Sequence, residues 1–135
     1  MALRVNILVA EDDLRDQILW DHLLVPPSSI FVHYVWSGAE VVDYLAGKGP
    51  FANREKYPYP DVLFLDVEMP RMNGLQVLEW LAANPTVVRP SVYICTGVAA
   101  SPIRKEIEKH PIDGFFVKPL SPGQLTRILT EKLSA

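Results

Sequence analysis

The chain has 135 residues, 49% of them hydrophobic and 21% charged, with a net charge of −3. That length fits one domain able to bury roughly 70% of its unfolded surface, and so apolar a chain is not intrinsically disordered. Mild acidity without a basic run argues against nucleic-acid binding, and no apolar stretch nears the ~18 residues of a membrane span.

In chain order, Met1 to Ala10 is too short and too polar for a signal peptide, with Arg4 and Asn6 interrupting it. A single cysteine, Cys95, cannot staple the fold, so the expected compartment is the cytoplasm. Val5 to Ala10 reads as a first strand and runs into Glu11-Asp12-Asp13. Leu14, Ile18, Leu19 and Leu23 then repeat at helical spacing. Ile30 to Val35 is a second strand, followed by Trp36. Ser37 and Glu40 have capping-box spacing ahead of the helical set Ala39, Val42 and Leu45. A third strand, Val62 to Leu65, ends at Asp66. Asn73 and Gln76 cap the helix of Leu75, Leu78 and Leu81. A fourth strand, Val92 to Cys95, runs into Thr96. Ser101-Pro102 opens a shorter helix carrying Ile103 and Ile107. Phe115 to Val117 is a fifth strand ending at Lys118-Pro119. Ser121 and Gln124 cap a last helix with Leu125, Ile128, Leu129 and Leu133.

The strands are short, apolar and scarcely alternating, as expected when helices cover both faces of a parallel sheet. Twelve prolines fall between or at the starts of these elements. Strand–helix alternation five times over predicts a flavodoxin-like (βα)5 three-layer sandwich with sheet order 2-1-3-4-5. In such a sheet the functional crevice lies beyond the carboxyl ends of the strands. Glu11, Asp12 and Asp13, then Asp66, Thr96 and Lys118, all sit at those ends.

Each of these residues alone has an ordinary explanation. Adjacent acids cap helices, and Asp12 or Asp13 is suited to that. A lone Asp is a common turn residue, and Lys-Pro is a common solvated turn. Their coincidence on one rim carries the inference. Clustered carboxylates repel unless a cation neutralises them, and a hard divalent ion such as Mg²⁺ suits oxygen ligands. Lys118 adds a compact positive charge for an anion, and Thr96 a hydroxyl donor. Together they suit phosphoryl chemistry, with Asp66 as the nucleophile.

With those residues in place, the sequence resembles a response-regulator receiver domain of two-component signalling, from about Val5 to Leu133. The motifs are Ile7-Leu-Val-Ala-Glu-Asp-Asp13, Pro60-Asp-Val-Leu-Phe-Leu-Asp66 with Met69-Pro70 and Asn73-Gly74, Thr96-Gly97, and Phe116-Val-Lys-Pro119. The resemblance implies that Asp66 accepts a phosphoryl group from a histidine kinase or histidine phosphotransfer protein. It implies that Glu11 and Asp12 position Mg²⁺ (or Mn²⁺) with Asp66, Asp12 binding directly and the backbone carbonyl of Glu68 completing the protein ligands. Lys118 would contact the phosphoryl oxygens. Thr96 and Phe115 would form the switch pair, and the Lys118–Pro119 bond would be cis. Gly97 would leave room for the phosphoryl group, or serve simply as a loop glycine. The resemblance implies a switch surface on helix 4, strand 5 and helix 5, where the family often dimerises. Here Arg104, Lys105, Glu106, Glu108 and Lys109 read equally as a solvated helix face.

Two departures from the family pattern stand out. Glu68, two residues after Asp66, places an acid near an incoming phosphate, where it could pair with Lys118. The Gly47 to Pro60 link is long and carries Phe51, Tyr57 and Tyr59. Similar lengthening occurs in stand-alone receivers resembling the phytochrome-associated type, and the plainer reading is a loop whose aromatics pack back on the domain. Cys95 reads as core. His22, His33 and His110 lack partners at metal-ligand spacing. Trp20, Trp36 and Trp80 read as packing residues, with Trp36 placed away from the reactive rim.

The expectation is one receiver domain over residues 1–135, a phosphorylation-operated switch rather than an enzyme acting on separate substrates. Only Ser134 and Ala135 follow the last helical apolar residue, so an output function would come from an unknown effector unless the chain is cut from a longer one. One rival is a phosphorylation-independent adaptor, against which Asp66, Thr96 and Lys118 speak. The other is a haloacid-dehalogenase-like phosphohydrolase. That family puts its nucleophile on the first strand and its acidic pair after the lysine, the reverse of the order here.

Overall fold

The structure, a computed structural model, describes residues 5–23, 30–97, 102–118 and 120–134. Five parallel strands form one sheet in the order β2-β1-β3-β4-β5, alternating with helices. The strands are β1 (Val5–Ala10), β2 (Ile30–Val35), β3 (Val62–Leu65), β4 (Ser91–Thr96) and β5 (Gly114–Val117). The helices are α1 (Leu14–Leu23), α2 (Gly38–Ala46), α3 (Gly74–Ala83), α4 (Pro102–Glu108) and α5 (Pro122–Ser134). This is the flavodoxin-like order expected from the sequence. β4 reaches one residue further at each end than its apolar run, because Ser91 and Thr96 still make ladder pairs with Val62 and Val117.

The sheet separates two apolar clusters. Leu8, Leu63, Leu65 and Ile94 pack with Val41, Leu78 and Ile107, residues of α2, α3 and α4. Val9, Phe64 and Cys95 pack on the other face with Trp20, Leu125 and Ile128, residues of α1 and α5. Burial on both faces explains why the strands do not alternate polar and apolar residues. It also places Trp20 in the core, its ring 4.7 Å from that of Phe64. Burial pushes the Cys95 thiol pKa up, which keeps it protonated and unreactive.

The caps form as the spacing implied. Asn73 and Gln76 exchange side-chain bonds with each other's backbone N–H, and Ser121 and Gln124 do the same. Ser37 accepts from the Glu40 N–H, but the Glu40 carboxylate reaches back one residue further, to the N–H of Trp36. Ser101 and the Lys118–Pro119 bond lie outside the described residues, as does the side chain of His22.

The long link before β3 folds back on the domain. A short helical turn at Gly49–Ala52 brings Phe51 to 5.0 Å from the Tyr44 ring and 5.2 Å from Tyr57, which in turn lies 5.6 Å from His33. The Tyr44 hydroxyl donates to the Pro58 carbonyl at 2.9 Å. Burial pushes that phenol up to about 12. Arg54 donates to the carbonyl of Leu45 near the end of α2 and lies 5.3 Å over the Tyr59 ring. The Tyr59 hydroxyl donates to the Val88 carbonyl. These aromatics are packing residues, which fits the plainer of the two sequence readings.

Trp36 corrects an expectation. It follows the carboxyl end of β2, whose last residue pairs with Ala10. It therefore lies on the same edge of the sheet as the acidic residues, one strand out, and is half exposed at 50%. The segment after it docks against the β3–α3 loop. The Gly38 N–H donates to the Met72 carbonyl at 3.0 Å, and Arg71, in a left-handed conformation (φ 66°), donates to the Ser37 hydroxyl. A Cβ on Gly38 would stand 2.2 Å from the Met72 carbonyl oxygen, so only glycine permits this approach. Gly38→Ala is expected to cost about 1–3 kcal/mol of stability as the two loops part. Gly97→Ala, where a Cβ meets nothing among the described residues within 4 Å, should cost less than about 0.5 kcal/mol. Urea denaturation of both variants checks the contrast.

Candidate functional site

The strand register assembles the site. Ala10 pairs with Leu65, so Glu11 and Asp66 leave the sheet side by side, and the Asp66 N–H donates to the Ala10 carbonyl. Thr96 pairs with Val117, which puts Lys118 one residue beyond, its N–H donating to the Thr96 carbonyl at 2.8 Å. Glu11, Asp66 and Thr96 are all buried, at 1%, 6% and 1% exposure. Buried polar groups at the mouth of an apolar sheet are costly unless paired, and here the two carboxylates are paired with Lys118.

The pairing centres on Lys118. Its Nζ lies 2.5 Å from Glu11 Oε1, 2.7 Å from Asp66 Oδ2 and 3.0 Å from Asp16 Oδ2. Asp66 Oδ1 accepts the N–H of Glu68. Gly74 makes the geometry possible from below, because a Cβ there would sit 2.6 Å from the Asp66 carbonyl oxygen. Burial pulls the Lys118 pKa down, but the hydrogen bonds and charges of Asp66 and Glu11 outweigh it and hold the ammonium well above its ordinary value. Burial pushes Glu11 the other way, up to about 7, with Lys118 opposing and the Asp66 charge adding to the rise.

The two remaining acids after β1 differ in role. Asp13 caps α1, its Oδ1 accepting the Arg15 N–H at 2.8 Å, and the side-chain bond from Arg15 lowers its pKa. Asp12 is exposed and contributes to a close group. Glu11, Asp12 and Asp66 each offer a carboxylate oxygen within 4.8 Å of the others. Three hard oxygen donors at that spacing fit a divalent ion such as Mg²⁺, which prefers few protein ligands and several waters. Glu68 lines the same cleft with its side chain exposed.

The structure thus brings Glu11, Asp12, Asp66, Thr96 and Lys118 to one rim. Phe115 stands apart: on β5 beside Ile94, it packs half-buried against the α2–α3–α4 face, with the Arg104 guanidinium 4.2 Å above its ring. Gly97 is exposed beside the cleft, and a Cβ there would meet none of the described residues within 4 Å. Two sequence expectations change. Glu68 makes no ion pair among the described residues, because Lys118 is turned inward onto Glu11, Asp16 and Asp66. Asp16 was not singled out from the sequence. Its place in the first turn of α1, one turn after the acidic run, is the signal that could have found it.

A doubly wound sheet with this acid–lysine rim is the architecture of a receiver. The chain matches the response regulator receiver domain family over residues 7–130 and belongs to it. It is 33% identical over 138 aligned positions, covering 97% of this chain, to a protein-glutamate methylesterase/protein-glutamine glutaminase of Moorella thermoacetica. A response regulatory protein of Yersinia pestis is 39% identical over 71 residues, 53% of this chain. The matches cover 29% and 28% of those two proteins, so the chain spans less than a third of their length. Among solved structures, a two-component response regulator from Legionella pneumophila superposes with a TM-score of 0.80 at 28% identity, covering 98% of this chain and all of that one. The phosphorylated cyanobacterial phytochrome response regulator RcpA gives 0.79 at 24% identity, over 95% of this chain and 90% of that one, a likeness of fold. Among the described residues no helix is long and apolar enough to cross a membrane.

The Glu11 shift carries a stability consequence. A carboxyl whose folded pKa lies above its ordinary 4.5 binds its proton more tightly in the fold, so stability falls as pH rises from 4.5 through about 7. In metal-free protein, Glu11→Gln removes that titration. Urea midpoints of variant and wild type are expected to agree near pH 4.5 and to separate up to pH 8, with the variant the more stable.

Proposed function

We propose that this receiver is a phosphorylation-operated switch spanning residues 1–135, in which Asp66 accepts a phosphoryl group from a histidine kinase or a histidine phosphotransfer protein. The observation that carries the reading is the buried Asp66 carboxylate, held 2.7 Å from the Lys118 ammonium within an oxygen cluster suited to a divalent cation. An Asp66 oxygen attacks phosphorus, the P–O bond forms as the donor's P–N bond breaks, and the electron pair leaves with the imidazole, which then takes a proton. In this reading Lys118 and the Thr96 hydroxyl hold the phosphoryl oxygens. Glu11, Asp12 and Asp66 would hold Mg²⁺ or Mn²⁺ together with the Glu68 carbonyl. The ion, when bound, supplies charge neutralisation for the transferring group.

Phosphorylation converts a −1 carboxylate into a group near −2 with three strong acceptor oxygens. Thr96 ends β4 and Phe115 lies on the neighbouring β5, opposite Ile94, so movement of this pair would reshape the surface of α4, β5 and α5 for a downstream effector. Phosphorylation would shift the population between two conformations by as much as the phosphoryl group prefers one of them. Arg104 pairs with Glu108 within α4 at 2.7 Å, and Lys109, just past its end, pairs with Glu106 at 2.9 Å. This favours a solvated face over a charged dimer contact there. No turnover of a separate substrate, no nucleic-acid partner and no membrane anchor is part of the proposal, and a cytoplasmic location follows from the phosphodonors named.

Incubation with acetyl phosphate and Mg²⁺, followed by intact mass, is expected to add one phosphoryl group. The gain should vanish without the metal and in Asp66→Asn. No gain under any condition would favour the phosphorylation-independent adaptor, and steady hydrolysis of phosphate esters the phosphohydrolase. Glu68 adds a like charge close to the phosphoryl group, so Glu68→Asn is expected to lengthen the phosphorylated state about two- to fivefold. Release of inorganic phosphate over time measures this, and equal lifetimes would clear Glu68 of any role.

A further inference from the structure

We infer that Asp16 is a positioning residue for Lys118, a seat that keeps the ammonium paired when a divalent cation displaces it from Glu11 and Asp66. The inference rests on the function proposed above and adds to it a residue on α1.

A lysine ammonium has three N–H donors and no acceptor. Here each finds a carboxylate, from Glu11, Asp66 and Asp16. The first two belong to the oxygen cluster that fits a metal; Asp16 does not. A divalent ion and an ammonium compete for the same oxygens of Glu11 and Asp66 and repel each other. As the ion enters, Lys118 must give up contacts there. Its side chain is only 16% exposed, so water cannot fully replace the lost partners. Asp16, 31% exposed at the rim and 3.0 Å away, retains one charged partner without holding the metal. The displaced lysine then stays close enough to meet the phosphoryl oxygens instead of swinging into solvent.

Asp13 provides the control. It carries the same charge just ahead of α1, but it pairs with the exposed Arg15 at 3.3 Å and makes no contact with Lys118. Asparagine preserves its capping role. The readout is the Mg²⁺ dissociation constant of the unphosphorylated chain, measured by titration calorimetry. Asp16→Asn is expected to weaken Mg²⁺ about fivefold, the scale of a partly exposed ion pair. Asp16→Glu should restore most of the affinity, and Asp13→Asn should change it less than about twofold. In a Lys118→Met background, Asp16→Asn should have no further effect, as a double-mutant cycle requires when one residue acts through the other. Equal weakening by Asp13→Asn and Asp16→Asn, or an Asp16 effect that persists without Lys118, overturns the inference in favour of simple charge. Mg²⁺ binding by wild type with no change in Asp16→Asn overturns the inference alone. No Mg²⁺ binding by wild type overturns it together with the metal-assisted reading of the site.

Discussion

The contact of one ammonium with three carboxylates organises this molecule. Lys118 follows β5, Glu11 follows β1, Asp66 follows β3, and Asp16 lies on α1. These groups come from three separate stretches of chain, and a buried charge at any of these positions would be costly alone. A buried carboxylate without a partner would be forced toward its protonated form, and a lysine without one toward its neutral form. The carboxylates hold the Lys118 ammonium charged at the mouth of an otherwise apolar sheet. Buried ion pairs contribute little net stability even when complete, so such a cluster suits function better than support.

The sheet makes that contact available. Parallel strands all end on the same edge, and the ladder register sets Glu11 and Asp66 level. The glycine approach at Gly74 lets α3 begin directly under Asp66, while Gly38 lets the loop after β2 close over Met72. The capping box of α3 then holds the start of the helix in place. Glu11 and Asp66 are thus set by backbone and β-strand register, whereas Asp16 is more exposed than either. Phe115 lies outside that rim, on the face where Arg104 covers it.

Much of this was legible from residue pattern. Short unbroken apolar runs identified all five strands because burial on both faces leaves no polar alternation to confuse them. Three capping signals identified helix starts because the spacing of Ser or Asn to Gln or Glu matches backbone N–H geometry. The aromatics of the long link read as packing residues, and the Tyr44–Phe51–Tyr57 cluster fits that. Asp16 was missed because an acid in the first turn of a helix has a sufficient local reason to be there, the helix dipole. Trp36 follows the carboxyl end of β2, and the parallel winding itself puts that end on the same edge as Glu11 and Asp66, a consequence its aromatic side chain does not signal. The suggested Glu68–Lys118 pair failed because it considered only the two residues, while the lysine had three other carboxylates within reach.

By itself, then, the sequence determined the alternation of elements, their order in the sheet, and the set of polar residues that meet at its carboxyl edge. These follow from periodicity, capping chemistry and the handed winding of parallel strands, all of which act over short stretches of chain. Only the tertiary structure decided which carboxylates hold Lys118, which acid caps α1, and where the aromatics of the long link come to rest. Those outcomes depend on distances between side chains remote in sequence, where a few ångströms separate an ion pair from a solvated charge. No local pattern encodes such distances.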